Sequence, residues 1–416
     1  MRSRERVTAP IPPTAASASG PWDGLVVLCA SNGFDGVRMS DWHLAVQLAK
    51  LTPVLYVDPP MSRLTPLRSP AKGGALHGPR LRLEGPALAR LTPLVQPFPA
   101  RPGATSLTSA LTRRHLRCAT ARLGGRVQAL VSCWALYPVF DSCGEQVRIY
   151  WAKDDFVGGA ELLRLNAKAL DRYERKVAAA AHHVMAANPT VADTWRSRGL
   201  DPYLVPFGVD AAAYAGIEHA PLPSDVGLPA PVVGFVGRIN DRTDLRLLEA
   251  IADRGRSLLL VGPKSPGFEP RRFDALLRRR HVRWVGLKRA EELPGYLRVM
   301  DVGIVPYRDS RFNRGSFPLK TLEYLAAGRP VVATDLPGIR SLATDLICIA
   351  GPAYFADAVD RQLALPRTTG LLASRQAFAA RHSWARRAAD ILEVITDDAG
   401  LGRRITRLSP DGSLDD

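Results

Sequence analysis

SFPLKTLEYLAAGRPVVAT, residues 316–334, has the pattern of a loop, a helix, a sharp stop and a strand. Apolar side chains recur at helical spacing and predict one buried helix face, formed by Leu319, Leu322, Leu325 and Ala326. Gly328 suits the left-handed residue that follows a helix, and Pro330 prevents the helix from continuing. The β-branched run at 330–334 then predicts a short, buried parallel strand.

The first turn of this predicted helix carries a charged pair. Lys320 and Glu323 are three residues apart and therefore share one side of the helix, and Pro318 is compatible with the first turn. A helix N-terminus beside a lysine attracts phosphate oxygens, while a carboxylate on the same turn can accept from sugar hydroxyls. The pair therefore suits a nucleotide diphosphate, although an ordinary strand–helix unit with a surface ion pair explains the same residues.

Length and composition indicate a two-domain globular protein. The 416 residues can bury two cores, and a hydrophobic content of 46% is typical of soluble domains. The 56 basic and 40 acidic residues give a net charge of +16, which favours polyanionic partners. Those partners are nucleic acid, an anionic membrane surface or anionic small substrates. No nucleic-acid-binding motif is present, so we expect no nucleic acid partner.

Cysteine usage and hydropathy indicate a cytoplasmic protein. The five cysteines are odd in number and include no Cys-x-x-Cys pair, which argues against a disulfide framework or a zinc site. The apolar runs are too short to cross a membrane, and the N-terminus lacks the apolar segment of a secretory signal. We therefore expect no metal and no tightly bound cofactor.

Alternating elements predict an α/β fold along most of the chain. Residues 1–20 resemble a disordered tail. In residues 21–210 the patterns predict strands at 25–30, 54–58, 91–95, 127–133, 147–151 and 182–187, and helices at 40–50, 107–123 and 159–181. Ser40 is the predicted N-cap of the first helix, and Asn188 with Pro189 has the pattern of a cap and first turn.

The second half repeats the alternation after a proline-rich linker at 211–230. Residues 231–365 predict a parallel sheet with helices on both faces, from elements at 232–236, 244–253, 257–261, 270–280, 282–285, 291–299, 302–305, 318–327, 330–334, 337–343 and 346–350. Residues 366–397 predict closing helices, the last of which begins at Ser383, and 398–416 a flexible tail.

Four segments in this order resemble GT-B glycosyltransferases, and among them the teichuronic-acid and capsule-type branch of the retaining group 1 enzymes. They are VVGFVGR (232–238), GLKRAEELP (286–294), DVGIVPY (301–307) and the stretch quoted first. The resemblance implies two Rossmann-like domains that face a cleft, with the C-terminal helix crossing back onto the first. It also implies metal-independent transfer of a sugar from a UDP- or GDP-type nucleotide sugar to a cell-surface or lipid-linked glycan.

The resemblance and the sheet edge together give the candidate donor site. Arg238, Lys264 and Lys320 follow predicted strands or begin a helix, where they can stabilise the charge of a departing diphosphate. Arg242 stands where relatives often carry a lysine. The remaining candidates for nucleotide binding are Gly36, Gly237, Ser316, Phe317, Pro318, Thr321 and Glu323.

The acceptor side is expected on the first domain. A glycine-containing loop at 31–38 follows the first strand and contributes Gly33 and Arg38, and His43 follows one turn into the next helix. Asp154 and Asp155 follow another strand, where either carboxylate could orient the acceptor hydroxyl or take its proton. One of the two could instead cap the next helix.

One departure from the family keeps other functions open. Many relatives carry a glutamate eight residues before the position of Glu323, and here that position is Gly315. The sugar site is therefore atypical, and the stereochemistry does not follow from the sequence. The alternatives are a non-catalytic nucleotide-sugar-binding protein and a GT-B epimerase.

The predicted helix 107–123 is basic and amphipathic, which suits either anionic lipid or a solvated surface. Its arginines are Arg113, Arg114, Arg117 and Arg122, and its expected apolar stripe is Leu107, Leu111 and Cys118.

Overall fold

Two sheets organise the chain, which the computed structural model describes for residues 20–35, 38–68, 79–99, 101, 103–163 and 165–398. The strands of the first half are β1 (Leu25–Cys29), β2 (Val54–Val57), β3 (Leu81–Gly85), β4 (Leu88–Leu91), β5 (Val127–Ser132), β6 (Val147–Ala152), β7 (His183–Ala186) and β8 (Tyr203–Leu204). Those of the second half are β9 (Val232–Val236), β10 (Ser257–Val261), β11 (Val282–Trp284), β12 (Val302–Val305), β13 (Val331–Thr334) and β14 (Ile347–Ala350).

The strand orders define two separate sheets. The first runs β3-β4-β2-β1-β5-β6-β7-β8 and the second runs β11-β10-β9-β12-β13-β14. Every pairing is parallel except that of β3 with β4. The central strands are buried on both faces, as expected for apolar parallel strands covered by helices. The predicted α/β class and GT-B architecture are confirmed.

Helices cover both sheets. The first half contains α1 (Ser40–Leu48), α2 (Thr65–Arg68), α3 (Thr105–Leu123), α4 (Ala167–Ala180) and α5 (Pro189–Arg196). The second half contains α6 (Leu245–Asp253), α7 (Pro270–Leu277), α8 (Leu293–Val299), α9 (Arg311–Arg314), α10 (Leu319–Ala326), α11 (Pro337–Arg340), α12 (Phe355–Ala364), α13 (Thr369–Arg381) and α14 (Trp384–Asp398). In the part of the chain described here, no helix combines the length and apolar character needed to cross a bilayer.

Two predicted helix starts were wrong. Ser40 is the first residue of α1 rather than its cap: Met39 precedes the helix, and no side chain caps it. The predicted helix 159–181 begins at Ala167, where the Asn166 side chain accepts from the Ala169 amide. Residues 156–163 form turns, and Leu163 is exposed.

Two other sequence patterns were misread. The strand predicted at 91–95 ends where it was expected to begin, since β4 covers Leu88–Leu91 and pairs with β3 in a hairpin. Within 91–95, Leu94 forms an isolated bridge to Met61. In α3 the buried face is mainly threonine, with Leu116 and Ala119, whereas Leu107 and Cys118 are exposed. Two of the three residues of the expected apolar stripe therefore face outward. The threonines can be buried in their place because they donate their hydroxyls to nearby carbonyls.

The C-terminal helix returns to the first domain, as the resemblance implied. Helix α14 packs against α1, and residues 209 and 383 form a parallel bridge at its start. Trp384 is 2% exposed, and its ring stacks on His43 with 5.8 Å between centroids. The same ring lies 6.0 Å from that of Phe207. One buried indole therefore joins the last helix to the first domain.

We expect Trp384→Ala to lower the free energy of unfolding by about 3–5 kcal/mol, because it removes a buried aromatic ring from a packed junction. Denaturant unfolding measures the change. The control is Arg386→Ala on the same helix, whose side chain is 62% exposed and should change stability by no more than about 0.5 kcal/mol. Equal stability of the two variants would show that the junction does not depend on the indole.

Candidate functional site

The N-terminus of α10 carries the charged pair expected from the sequence. The helix lies between the parallel neighbours β12 and β13, so its first turn follows the carboxyl edge of the second sheet. Lys320 Nζ lies 2.5 Å from Glu323 Oε2. Burial raises the pKa of the Tyr214 hydroxyl, and the carboxylate of Glu323, to which it is hydrogen-bonded, acts in the same direction. Glu323 is therefore held by a lysine of its own helix and by a tyrosine of the predicted linker.

Residues around this turn differ in what they can offer a ligand. Pro318 is the N-cap of α10 rather than a residue of its first turn. Ser316 and Phe317 are buried, and the Phe317 ring meets Phe207 of the first domain edge-on at 5.9 Å. The Thr321 side chain is fully buried, so it packs inside the domain and offers no surface to a nucleotide in this conformation.

Arg238 and Lys264 lie at one edge of the second sheet. Gly237 follows β9, Arg238 is exposed next to it, and the following residue bridges to Lys264. The chain is tight here: a Cβ at Gly262 would lie 2.0 Å from the Gly237 carbonyl oxygen. Lys264 Nζ lies 3.3 Å from its neighbour's carbonyl and 5.5 Å from the Phe273 ring centroid. Arg238 is thus the freer of the two cations in this conformation.

Arg242 is anchored by protein groups. Its Nε donates to Asn313 Oδ1 at 2.8 Å. Its guanidinium lies 5.0 Å from the Tyr307 ring centroid and 4.9 Å from that of Phe312. A diphosphate contact from Arg242 would use the nitrogens that Asn313 leaves open.

His43 of the first domain faces the α10 turn. Burial lowers the pKa of its imidazole, and the charges that act on it from around the cleft are Asp210, Glu323, Arg38 and Lys320. The first two oppose the shift and the last two add to it. The imidazole therefore favours its neutral form. The His43 ring stacks on Trp384, which lies beside Phe207, and Phe207 meets the ring of Phe317 directly before α10. Packed rings therefore connect this acceptor-side candidate to the donor-side turn.

Arg38 connects the two domains at the rim. Its guanidinium forms a 3.1 Å ion pair with Glu291 of the second domain and lies 4.7 Å from the Trp42 ring centroid. Gly33 lies in the same loop, and a Cβ there would meet only Asp58 Oδ1 at 3.9 Å. Gly36 falls outside the described residues.

The two aspartates after β6 have different surroundings. Burial raises the pKa of Asp154, while Arg242, Lys153 and a hydrogen bond with Ser316 act in the opposite direction. Arg242 and Ser316 belong to the second domain, so Asp154 faces across the cleft. Asp155 accepts from the Gly158 amide at 2.7 Å and from Arg311 Nε at 2.8 Å. One aspartate caps a turn and the other lies at the cleft.

Gly315 lies against the first domain. Its carbonyl accepts from Asn188 Nδ2 at 2.8 Å and from the Asp155 amide at 3.2 Å. A Cβ at residue 315 would lie 2.5 Å from the Asp155 Cβ. In this arrangement a glutamate side chain at residue 315 has no room, which gives a steric reason for glycine at this position.

Sequence reasoning missed a buried polar network under the acceptor loop. Lys153 Nζ forms an ion pair with Asp41 and donates to Ser31 Oγ at 2.8 Å and Ser40 Oγ at 3.3 Å. Burial opposes ionisation, yet Lys153 and Ser31 hold the pKa of Asp41 below its ordinary value. The available signal was a lysine that directly follows the buried apolar run at 149–152 of β6.

Comparison with known proteins assigns a glycosyltransferase family model to the second domain. The family model described as glycosyl transferases group 1 matches residues 230–364. Bacillus subtilis TuaH, named for glycosyl transfer in teichuronic acid biosynthesis, is 36% identical over 143 residues, or 34% of this chain and 36% of its own. A D-inositol 3-phosphate glycosyltransferase of Nocardia farcinica is 32% identical over 217 residues, or 46% of each chain. The chain thus spans less than half the length of these two curated relatives.

Solved structures match over nearly the whole chain. A sucrose-phosphate synthase of Thermosynechococcus elongatus superposes with a TM-score of 0.70 at 17% identity, covering 91% of this chain and 99% of that one. Anabaena HepE in complex with UDP and glucose superposes with a TM-score of 0.62 at 16% identity, covering 90% and 99%. The chain therefore has the GT-B fold, and its residues 230–364 form a group 1 glycosyltransferase domain.

Proposed function

We propose that the protein transfers a sugar from a nucleotide-diphosphate sugar to a cell-surface or lipid-linked glycan. The observation that carries the proposal is the convergence at the α10 turn. The Lys320–Glu323 pair follows Phe317. The Phe317 ring packs on Phe207 and, through Trp384, connects to His43 of the facing domain. A donor site and an acceptor-side residue in one cleft are what glycosyl transfer requires.

A UDP-type donor is the form we favour over a GDP-type donor. Two solved structures of similar fold are complexes, one with UDP and glucose and the other with UDP-2-fluoro glucose. Lys320 would leave Glu323 to meet a phosphate, which frees the carboxylate for the ribose hydroxyls. Gly237 and the backbone at residues 316–318 would complete this site.

The chain's own residues supply the chemistry in this proposal. Arg238, Lys264 and Lys320 would stabilise the diphosphate as the bond to the sugar breaks. Asp154 would accept the proton of the acceptor hydroxyl, a task that the pKa raised by its burial favours. Gly33 and His43 would line the acceptor's approach. Arg38 would leave Glu291 and line the same approach.

We also propose that the protein is cytoplasmic and binds the anionic inner face of the cell membrane, where a lipid-linked acceptor would lie. The outward face of α3 carries Arg114, Arg117 and Arg122 beside the exposed Leu107. Basic residues beside an apolar side chain suit an anionic lipid surface.

A non-catalytic nucleotide-sugar-binding protein is the second candidate, and Gly315 is the observation that favours it. An assay for UDP release from a panel of UDP-sugars, with and without a membrane fraction as acceptor source, separates the two. Turnover supports the transferase. Binding of nucleotide without turnover of any donor, despite an intact fold, would favour the binder.

We expect Glu323→Ala to weaken UDP affinity by about 1.5–3 kcal/mol, because a charged hydrogen bond to the ribose is lost. Calorimetric titration measures it. The wild-type preference for UDP over a 2′,3′-dideoxy analogue should shrink in the variant. Glu249→Gln, a carboxylate paired with Arg272 on the surface, is the control and should bind like wild type. Unchanged UDP affinity in folded Glu323→Ala would remove this role.

Arg238→Ala and Lys320→Ala should lower kcat more than they raise the donor KM, since negative charge grows as the glycosidic bond breaks. Each should cost about 3 kcal/mol of transition-state stabilisation. Steady-state kinetics provide the comparison, with Arg246→Ala as the control because its side chain is 73% exposed and bonded to Asp244. Wild-type kcat in both variants would refute the assignment.

The membrane proposal predicts salt-sensitive binding to anionic vesicles. In co-sedimentation, replacing Arg114, Arg117 and Arg122 together by glutamine should reduce binding to anionic vesicles. The matched control replaces three exposed arginines of the second domain, Arg271, Arg278 and Arg280. Equal binding to neutral and anionic vesicles, or equal loss in both triple variants, would contradict the role of α3.

A further inference from the structure

A cavity lies on the side of the second domain away from the cleft. Its volume is about 180 Å³, and its lining includes Asp301 and Pro330, which directly precede β12 and β13. It therefore opens at the amino edge of the sheet, whereas the donor candidates lie at the carboxyl edge. The chain between α12 and α13 forms the rest of the wall, with Leu365, Arg367 and Arg375 among its residues.

Arg375 contributes a buried guanidinium to this cavity. The residue is 7% exposed, and its Nη1 donates to the Gly328 carbonyl at 3.2 Å. Its Nε is buried and has no hydrogen-bond partner among the described residues. Within that same part of the chain, no carboxylate forms an ion pair with Arg375, although a charge this deeply buried normally has one.

The carboxylates nearby are already paired with other arginines. Arg367 forms an ion pair with Asp301 across the cavity wall. Arg329, which is 2% exposed, forms a 2.6 Å ion pair with Glu218. Burial lowers the pKa of Arg375, and the positive charges of Arg329 and Arg367 act in the same direction. Because both neighbouring arginines are paired, the net positive charge at this place is that of Arg375 itself.

The bond to Gly328 explains only part of this arrangement. A cation near the last carbonyls of α10 is favourable for the helix, and that role uses one of five N–H donors. This role at the end of α10 explains neither the cavity that Arg375 lines nor the Nε that has no partner among the described residues. An unpaired buried charge is costly, and a bound anion removes that cost. The planar guanidinium fork matches the geometry of phosphate oxygens.

We propose that this cavity binds a small phosphate-type oxyanion, held by Arg375 and assisted by Arg367. One water needs about 10–15 Å³, so a cavity of about 180 Å³ accommodates a tetrahedral oxyanion with ordered water around it. Arg367 is half-exposed at the mouth, which gives the ion an entrance. The site is separate from the donor cleft and does not depend on the proposed transfer reaction.

Calorimetric titration of the full chain with inorganic phosphate tests the proposal. Arg375→Gln should weaken phosphate binding by at least about tenfold, or about 1.4 kcal/mol, and Arg367→Gln should weaken it less. The matched control is Arg361→Gln, an exposed arginine of α12 outside the lining. Lys320→Ala should leave phosphate binding at Arg375 unchanged, because Lys320 lies at the opposite, carboxyl edge of the sheet.

A crystal soaked in selenate locates the ion, because the selenium atom scatters anomalously. A peak beside Arg375 supports the site. The proposal is overturned if wild type binds no phosphate, if Arg375→Gln binds as tightly as wild type, or if excess UDP or Lys320→Ala abolishes binding. If Arg375→Gln does not fold, unchanged binding in Arg367→Gln together with no selenate peak in the cavity overturns it equally.

Discussion

The close approach of Gly315 to the first domain determines the shape of the cleft. Two donors from the first domain, the Asn188 side chain and the Asp155 amide, meet the Gly315 carbonyl. Since a Cβ at this position would lie 2.5 Å from the Asp155 Cβ, only glycine permits the contact. A buried carbonyl with both partners satisfied is stable, whereas losing one partner leaves a polar group unpaired. The segment before α10 is therefore fixed by the facing domain.

Side chains around Gly315 extend the same contact. A Cβ at Gly159 would lie 2.4 Å from the Phe312 ring. The first domain therefore also needs a glycine where the second domain packs against it. Arg311 adds an ion pair to Asp155 at the exposed rim, where such pairs contribute little. Close packing and the buried hydrogen bonds, rather than rim charges, hold the two domains in this arrangement.

The first domain prepares its side of the cleft with buried charge. The Lys153–Asp41 pair joins the end of β6 to the start of α1 and to the loop after β1. Removing one partner of such a pair leaves a buried charge uncompensated and costs about 3–5 kcal/mol. His43 follows Asp41 on α1, and Asp154 follows Lys153. The pair therefore fixes the positions of both acceptor-side candidates relative to each other.

The sequence predicted what depends on local pattern and missed what depends on contacts between distant segments. The quoted stretch folds as its periodicity predicts, with α10 ending before Gly328 at a φ of 68°. Asn188 caps α5 as expected. Ser40 resembles a cap, but a lysine more than a hundred residues away uses its hydroxyl. Arg242 stays a predicted phosphate ligand, but the sequence does not show that Asn313 accepts from its Nε. Periodicity shows neither partner, because neither is near in sequence.

The central claim is that the closed cleft holds a nucleotide diphosphate between Arg238 and the first turn of α10. A crystal structure of the chain with bound UDP tests this most directly. The account predicts diphosphate oxygens between Arg238 and Lys320, the ribose hydroxyls on Glu323, and a Lys320 ammonium that has left Glu323 for the phosphate. A nucleotide bound elsewhere, or one bound in the cleft with the Lys320–Glu323 pair intact and Arg238 pointing away, would contradict it.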